Sequence, residues 1–243
     1  MNNFKFDVHM HLDLFKNREA TIEYIEREKS YTIAMTNLPV LYNRYISEYR
    51  ELKYIRFALG FHPELVHEYE NQMYIFVKCL KDVKYIGEIG LDYKIKNQDN
   101  INAQKRVFKE IINLCNKEGN KVLSVHSRSA VKDVNDIIGK FNGTVIMHWF
   151  TGNELELNKS IDNGYYFSIN EKMINTEKKK MLIKNIPIDK LLIESDAPFI
   201  EKNRVYSVDF IDNIIMELAN MYKLEKVHMI EQLKKNFRSA ISI

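Results

Sequence analysis

Eight times along this chain a short apolar run gives way to a longer amphipathic one, and no other feature restricts the fold as much. The short runs are Phe4–Val8, Tyr31–Thr36, Ile55–Leu59, Tyr85–Leu91, Val122–Val125, Thr144–Met147, Tyr165–Ile169 and Lys190–Ile193. Their apolar patterning reads as strand. Helical segments follow at Arg18–Lys29, Leu41–Leu52, Leu65–Leu80, Asn100–Glu118, Val131–Ile138, Glu154–Ile161 and Glu171–Lys184, and two more, Val208–Tyr222 and Leu224–Arg238, close the chain. Strands alternating with helices predict a parallel sheet covered by helices. A length of 243 residues suits one large barrel as well as two small domains. No Pro/Gly/Ser-rich linker or low-complexity stretch divides the chain. The expected fold is therefore α/β, one (β/α)8 TIM barrel over residues 1–243.

The helix at Asn100–Glu118 has the plainest periodicity, carried by Ile101, Phe108, Ile111 and Cys115. Asp99 or Asn100 can cap its start, and Gly119 ends it. A formal charge of +3 permits nucleic-acid binding without arguing for it. Cys79 and Cys115 fall at apolar helical positions and read as reduced core residues, so nothing points to an oxidising compartment. Met1–Lys5 runs straight into a strand without the features of a signal peptide. No apolar run approaches the roughly 20 residues that a membrane span needs. A cytoplasmic protein without membrane contact is expected.

Glu88 is the odd residue of Tyr85–Asp92, because a lone ionised carboxylate among Ile86, Ile89 and Leu91 is costly unless it is paired or binds a cation. His9 and His11 end the first strand one residue apart, and strand periodicity points both rings to one side. His126 ends the fifth strand, His148 the sixth and Asp196 the eighth. All six lie at the C-terminal ends of strands, where barrel enzymes place their chemistry. Imidazole with carboxylate and no thiolate suits Zn, Mn, Fe or Mg. Six ligands around a bridging Glu88 suggest two divalent ions, Mg, Mn or Zn. In that reading one ion takes His9, His11 and Asp196, the other takes His126 and His148, and Glu88 touches both. Two cations roughly 3.5–4 Å apart can hold an attacking hydroxide and stabilise a displaced oxyanion. Asp196 is also the candidate general base.

Other residues at the same rim allow two readings each. His62 can bind a substrate phosphate or orient a ligand, or can be a turn histidine ahead of Pro63. Arg128 can grip a phosphate bidentately, or can make a surface ion pair. Trp149, the only tryptophan, can stack on a nucleobase or pack the barrel mouth. Glu194 is a candidate acceptor behind a ligand histidine, and Asp92 can orient His62 or a neighbouring loop. Lys178, Lys179 and Lys180 read as a solvated helix face.

These stretches are collinear with the motifs of the TatD family of metal-dependent deoxyribonucleases, which the chain resembles over nearly its whole length. The matching segments are Asp7–Asp13, Gly60–Pro63, Gly87–Tyr93, Val125–Arg128, His148–Gly152 and Leu192–Phe199, with Asn236-Phe237-Arg238 in the position of a similar Asn-containing tail. Leu12-Asp13-Leu14, Ser124–Ala130 and His148-Trp149-Phe150 resemble more narrowly the TatD-like nuclease subunits of bacterial Qat anti-phage defence systems. The resemblance implies a TIM barrel, a two-metal site on the six residues named above, and hydrolysis of DNA phosphodiester bonds by a metal-bound hydroxide, proceeding 3′ to 5′ on single strands. It also implies protein partners in a Qat-type complex. One departure is the loop after Pro198, where Phe199–Tyr206 replaces a longer family loop. That bears on substrate choice and DNA grip, not on the metal ligands. The rival readings are a hydrolase of an amide, ester or lactone, and a catalytically silent subunit of a defence complex. Glu88 stands where many such hydrolases carry a carboxylated lysine, and Lys84 lies at the wrong end of that strand. A silent subunit usually loses a ligand, and this chain has all six.

Overall fold

The computed structural model describes residues 4–200 and 205–241. The first three residues and the centre of the loop after Pro198, on which part of the family departure falls, lie outside the described residues. Eight strands appear among those described: β1 (Lys5–Met10), β2 (Ser30–Ala34), β3 (Ile55–Phe57), β4 (Tyr85–Gly90), β5 (Lys121–His126), β6 (Gly143–His148), β7 (Tyr166–Ile169) and β8 (Leu191–Ile193). All neighbouring pairs are parallel, in two ladders ordered β1-β2-β3 and β4-β5-β6-β7-β8. Backbone hydrogen bonds join the ladders at both seams. Leu59 N donates to Tyr85 O and Gly87 N to Leu59 O, each at 2.9 Å, linking the end of β3 to β4. Asp196 N donates to His9 O at 2.9 Å and His11 N to Ala197 O at 2.8 Å, linking the end of β8 to β1. The circle is closed, and the fold is of the (β/α)8 barrel type.

The helices are α1 (Arg18–Glu28), α2 (Pro39–Glu48), α3 (Pro63–Tyr69), α4 (Met73–Leu80), α5 (Gln98–Glu118), α6 (Val131–Ile138), α7 (Glu154–Asp162), α8 (Glu177–Lys184), α9 (Asp209–Tyr222) and α10 (Lys226–Ile241). Two expected helices are broken. Leu65–Leu80 becomes α3 and α4 around a 3-10 turn at Glu70–Gln72, because α3 packs on α5 while α4 packs on α2. Arg106 of α5 clamps that turn with two bonds to Glu70, 2.9 and 2.7 Å. Glu171–Lys184 becomes a 3-10 turn at Glu171–Met173 followed by α8, with the Asn170 and Thr176 side chains capping the two pieces. The start of α5 also differs: Asn97, ahead of the expected Asp99 or Asn100, accepts the Asn100 N–H at 3.0 Å. Gly119 closes that helix at φ 70°, as expected.

The base of the barrel is held by paired polar groups. Asn236 of α10 donates to Ile188 O at 2.7 Å and Leu191 O at 2.9 Å, tying the last helix to β8. Phe237 beside it packs on Phe4 and Phe6, with ring centroids 5.5 and 4.5 Å away. Cys115 is buried and Cys79 half-buried, and both are free thiols. No helix of the described residues is long and apolar enough to cross a membrane.

Candidate metal centre

Glycine lets the strands approach closely enough to build the site. A side chain at Gly60 would run into Thr36 O and Gly87 O, so only glycine lets the β3 exit bring His62 toward β4. Gly90 has φ 141°, and a Cβ there would meet His126 O. The two glycines of Gly-Glu-Ile-Gly thus serve the approach of β5, leaving Glu88 the one functional side chain between them.

The structure brings all six expected ligands, and His62 with them, into one buried cluster. Glu88 Oε2 lies 3.2 Å from His11 Nε2, 3.4 Å from His62 Nε2 and 3.7 Å from His9 Nε2. Its Oε1 lies 2.6 Å from His126 Nδ1 and 3.8 Å from His148 Nε2. Asp196 Oδ1 stands 3.7–3.8 Å from the Nε2 atoms of His9, His11 and His148. Three triads are tight enough to hold a cation: His9, His11 and Asp196; His9, Glu88 and His148; and His62, Glu88 and His126. The first triad is the set expected for one ion; in the others His148 stands with His9 and Glu88, and His126 with His62 and Glu88, which brings His62 among the carboxylate's partners. Asp196 and Trp149 follow their strand ends in the left-handed region, at φ 48° and 38°, a backbone conformation that clusters at functional sites.

The atoms behind the site show what the site fits. His148 Nδ1 is held by Glu194 Oε2 at 2.8 Å. Glu194 is itself fixed by Asn170 Nδ2 at 2.8 Å, Trp149 N at 3.1 Å and the Ser168 hydroxyl. His9 Nδ1 meets Ser124 Oγ at 2.8 Å. With their Nδ1 atoms engaged, both rings turn Nε2 inward as lone-pair donors. His9 Nε2 and His11 Nε2, both buried, then face each other at 3.2 Å beside two buried carboxylates, Glu88 and Asp196. Such a convergence of donors fits a divalent cation, with imidazole and oxygen ligands and no thiolate. Asp92, expected near His62 or a loop, instead holds His126 Nε2 at 2.8 Å. Arg128 is half-exposed, 3.6 Å from Asp92 Oδ2 and 3.9 Å from Glu64 Oε1. Trp149 is half-buried, its ring edge-on to His148.

Electrostatics divide the cluster. Burial opposes charge on Glu88, but His62, His126 and hydrogen bonds from His11 and His126 outweigh it and hold the carboxyl well below its usual range. Burial lowers His9 far below an ordinary imidazole, helped by His148, and brings His62 to about 4 against the pull of Glu88. For His126 burial is overcome by Glu88 and Asp92, which lift it to about 9. For His148 burial is overcome by Glu194 and Asp196, which lift it to about 10. Burial raises Asp196 to about 7, against His148 and His11. Protons and cations compete for these atoms.

Of the partners behind the ligands, sequence reasoning named Glu194 and missed Ser124, Asp7, Ser168 and Asn170. Ser124 had a visible signal: it lies two residues before His126 and so on the same strand face. Asp7 had the same signal relative to His9. It is fully buried and accepts from Ser195 N at 2.9 Å, His9 N at 3.2 Å and Tyr206 Oη at 3.0 Å, bracing β1 against the β8 exit. Ser168 and Asn170 gave no signal without the tertiary structure.

Known proteins share this architecture and sequence. The crystal structure of YJJV, a TatD homolog from Escherichia coli K12, superposes with a TM-score of 0.86 at 18% identity, covering 99% of this chain and 98% of that one. The uncharacterized metal-dependent hydrolase YabD of Bacillus subtilis (strain 168) is 31% identical over 255 residues, covering 96% of this chain and 98% of its own length. Deoxyribonuclease Tat-D of Schizosaccharomyces pombe is 32% identical over 128 residues, 51% of this chain and 41% of that protein. The family model described as TatD related DNase matches residues 6–242, so nearly every element described above falls within the match, and this chain belongs to the TatD family of metal-dependent hydrolases acting on ester bonds.

Proposed function

We propose that this chain is a divalent-metal-dependent deoxyribonuclease that hydrolyses phosphodiester bonds, acting from the 3′ end of single strands. The observation that carries the reading is the meeting of three cation-capable triads on shared residues, Glu88 and His9, at the barrel mouth. Relatives named as deoxyribonucleases support DNA as the substrate. Two cations, Mg, Mn or Zn, would be held by His9, His11, His62, Glu88, His126, His148 and Asp196, with Glu88 common to both. When bound they supply Lewis acidity, lowering the pKa of water and neutralising phosphate charge.

The chain's own groups do the rest. Asp196 lies among three imidazoles at the β8 exit and accepts the proton of the attacking water. Glu88 sets the spacing of the His triads through its two oxygens. Glu194 and Asp92 fix the rings of His148 and His126 from behind, preventing their rotation out of register. Arg128, at the rim beside Asp92, meets the phosphate oxygens bidentately. His62 orients the same phosphate from the β3 side, and Trp149 borders the substrate at the β6 side. The strand circle running from β1 to β8 supports reading residues 1–243 as a single domain. Cytoplasmic residence and a subunit role in a Qat-type anti-phage complex extend the reading. The Qat-type role draws on Leu12–Leu14, Ser124–Ala130 and His148–Phe150, and the cytoplasmic reading on the reduced Cys79 and Cys115.

The test is cleavage of 5′-labelled DNA in Mg or Mn, with single strands, duplexes and RNA in parallel. A single-stranded DNA ladder shortening from the 3′ end is the expected result. Turnover of an unrelated amide or lactone with all nucleic acids left intact would sink the reading.

A further inference from the structure

Phe199 is out of place. It follows β8 at the barrel mouth, three residues after Asp196 and beside a cluster of imidazoles and carboxylates. The residue is 46% exposed. The residue is tied down at the backbone. Its backbone N–H donates to Asp196 O at 2.9 Å, and Pro198 fixes φ immediately before it. The ring stands edge-on to His11, with centroids 5.1 Å apart and planes at 85°. With the planes nearly perpendicular and close to half of the residue exposed, a face of the ring is open to another planar group. The same imidazole brings its Nε2 within 3.2 Å of Glu88 Oε2. His11 thus touches both the exposed ring and the carboxylate cluster, so a base on that ring would lie one side chain away from the site of its phosphate.

We propose that Phe199 is the stacking platform for a nucleobase next to the scissile phosphate, and that it makes the enzyme specific for unpaired strands. The proposal rests on the deoxyribonuclease reading and names the part of the substrate that this rim recognises. Phenylalanine offers no hydrogen bond, so the platform accepts any base with a free π-face and is indifferent to sequence. A base inside a duplex keeps both faces covered by its neighbours and cannot lie on it without unstacking. Arg128, at the β5 exit, lies on a different side of the mouth and grips phosphate, so base and backbone are held by different strands.

The test is steady-state cleavage of single-stranded oligonucleotides by the metal-loaded full chain. Substrates are intact or carry one abasic residue at each of the three terminal positions in turn. Wild type, Phe199→Ala and Phe199→Tyr are compared, with thermal melting as a check on folding. Phe199→Ala is expected to raise KM on the intact strand roughly tenfold, the usual scale of one base–aromatic stack, with kcat little changed. Phe199→Tyr, which keeps the ring, restores KM. One abasic position raises the wild-type KM as much as the alanine does, and on that substrate the alanine has no further effect. Equal KM values for wild type and Phe199→Ala on the intact strand overturn the platform, as does an alanine effect of the same size on every abasic substrate. A wild-type protein that cuts no DNA overturns the deoxyribonuclease reading and the platform with it. Cleavage indifferent to residue 199 overturns the platform alone.

Discussion

The two ends of β5 bury polar groups for different purposes. At the base, the Lys121 side chain donates to Leu80 O at 2.7 Å and Val83 O at 2.6 Å, carbonyls at and just beyond the end of α4. The cation meets the negative end of a helix dipole and fixed backbone acceptors, and the arrangement is complete. Asn236 behaves likewise beneath β8. At the mouth, His126 faces Glu88 and Asp92, while His9, His11 and His148 crowd their ring nitrogens toward Glu88 and Asp196. These groups are incomplete without a proton or a cation. Polar burial at the base holds the barrel together, and polar burial at the mouth creates a demand for a ligand.

This contrast can be broken from either end. The largest effect belongs to the cations: chelation should abolish hydrolysis and added Mn should restore it, while circular dichroism shows the barrel folded throughout. Loss of the fold on chelation would erase the distinction between the two ends. Next, Glu194→Gln keeps the shape but weakens the acceptor behind His148. Metal affinity and kcat/KM should fall roughly 10–100-fold, and calorimetry with kinetics reads both. At the base, Asn236→Ala leaves Ile188 O and Leu191 O without their donor. It should cost about 2–3 kcal/mol of stability in denaturant titration, with kcat/KM per folded molecule unchanged; a loss of metal affinity would contradict the division. The smallest effect is expected for Arg128→Ala. That side chain is 53% exposed and its carboxylate contacts are long, 3.6 and 3.9 Å. Stability should change by less than about 1 kcal/mol, while KM for DNA rises several-fold.

The barrel was legible because each strand is a short apolar run, and because the ligand-type residues fall at strand ends independently of that pattern. Helix boundaries were less legible. The breaks at Glu70 and Ile174 depend on which neighbour each half packs against, and periodicity carries no record of that. His9, His11, Glu88, His126, His148 and Asp196 could be brought together on paper, since a barrel puts all C-terminal strand ends on one face. Their partition could not. Whether His126 pairs with His148 or His62 depends on strand stagger and ring rotation around a circle. Asp92 was placed beside His62 by sequence proximity of motifs, whereas the neighbouring strand delivers His126 to it. Asp7 and Ser124 sit mid-strand, where a polar residue reads as a local interruption until the facing strand supplies its partner.

The central claim is that Glu88 joins the His triads into one catalytic centre. Its most direct test is to titrate Mn into wild type and Glu88→Gln by calorimetry, and to follow cleavage of end-labelled single-stranded DNA by the same samples. The account predicts two ions per wild-type chain. In Glu88→Gln it predicts weaker or incomplete binding, a drop in cleavage on the order of 10³-fold, and an unchanged or higher melting temperature. A Glu88→Gln protein that binds both ions and cuts DNA at close to the wild-type rate would contradict it.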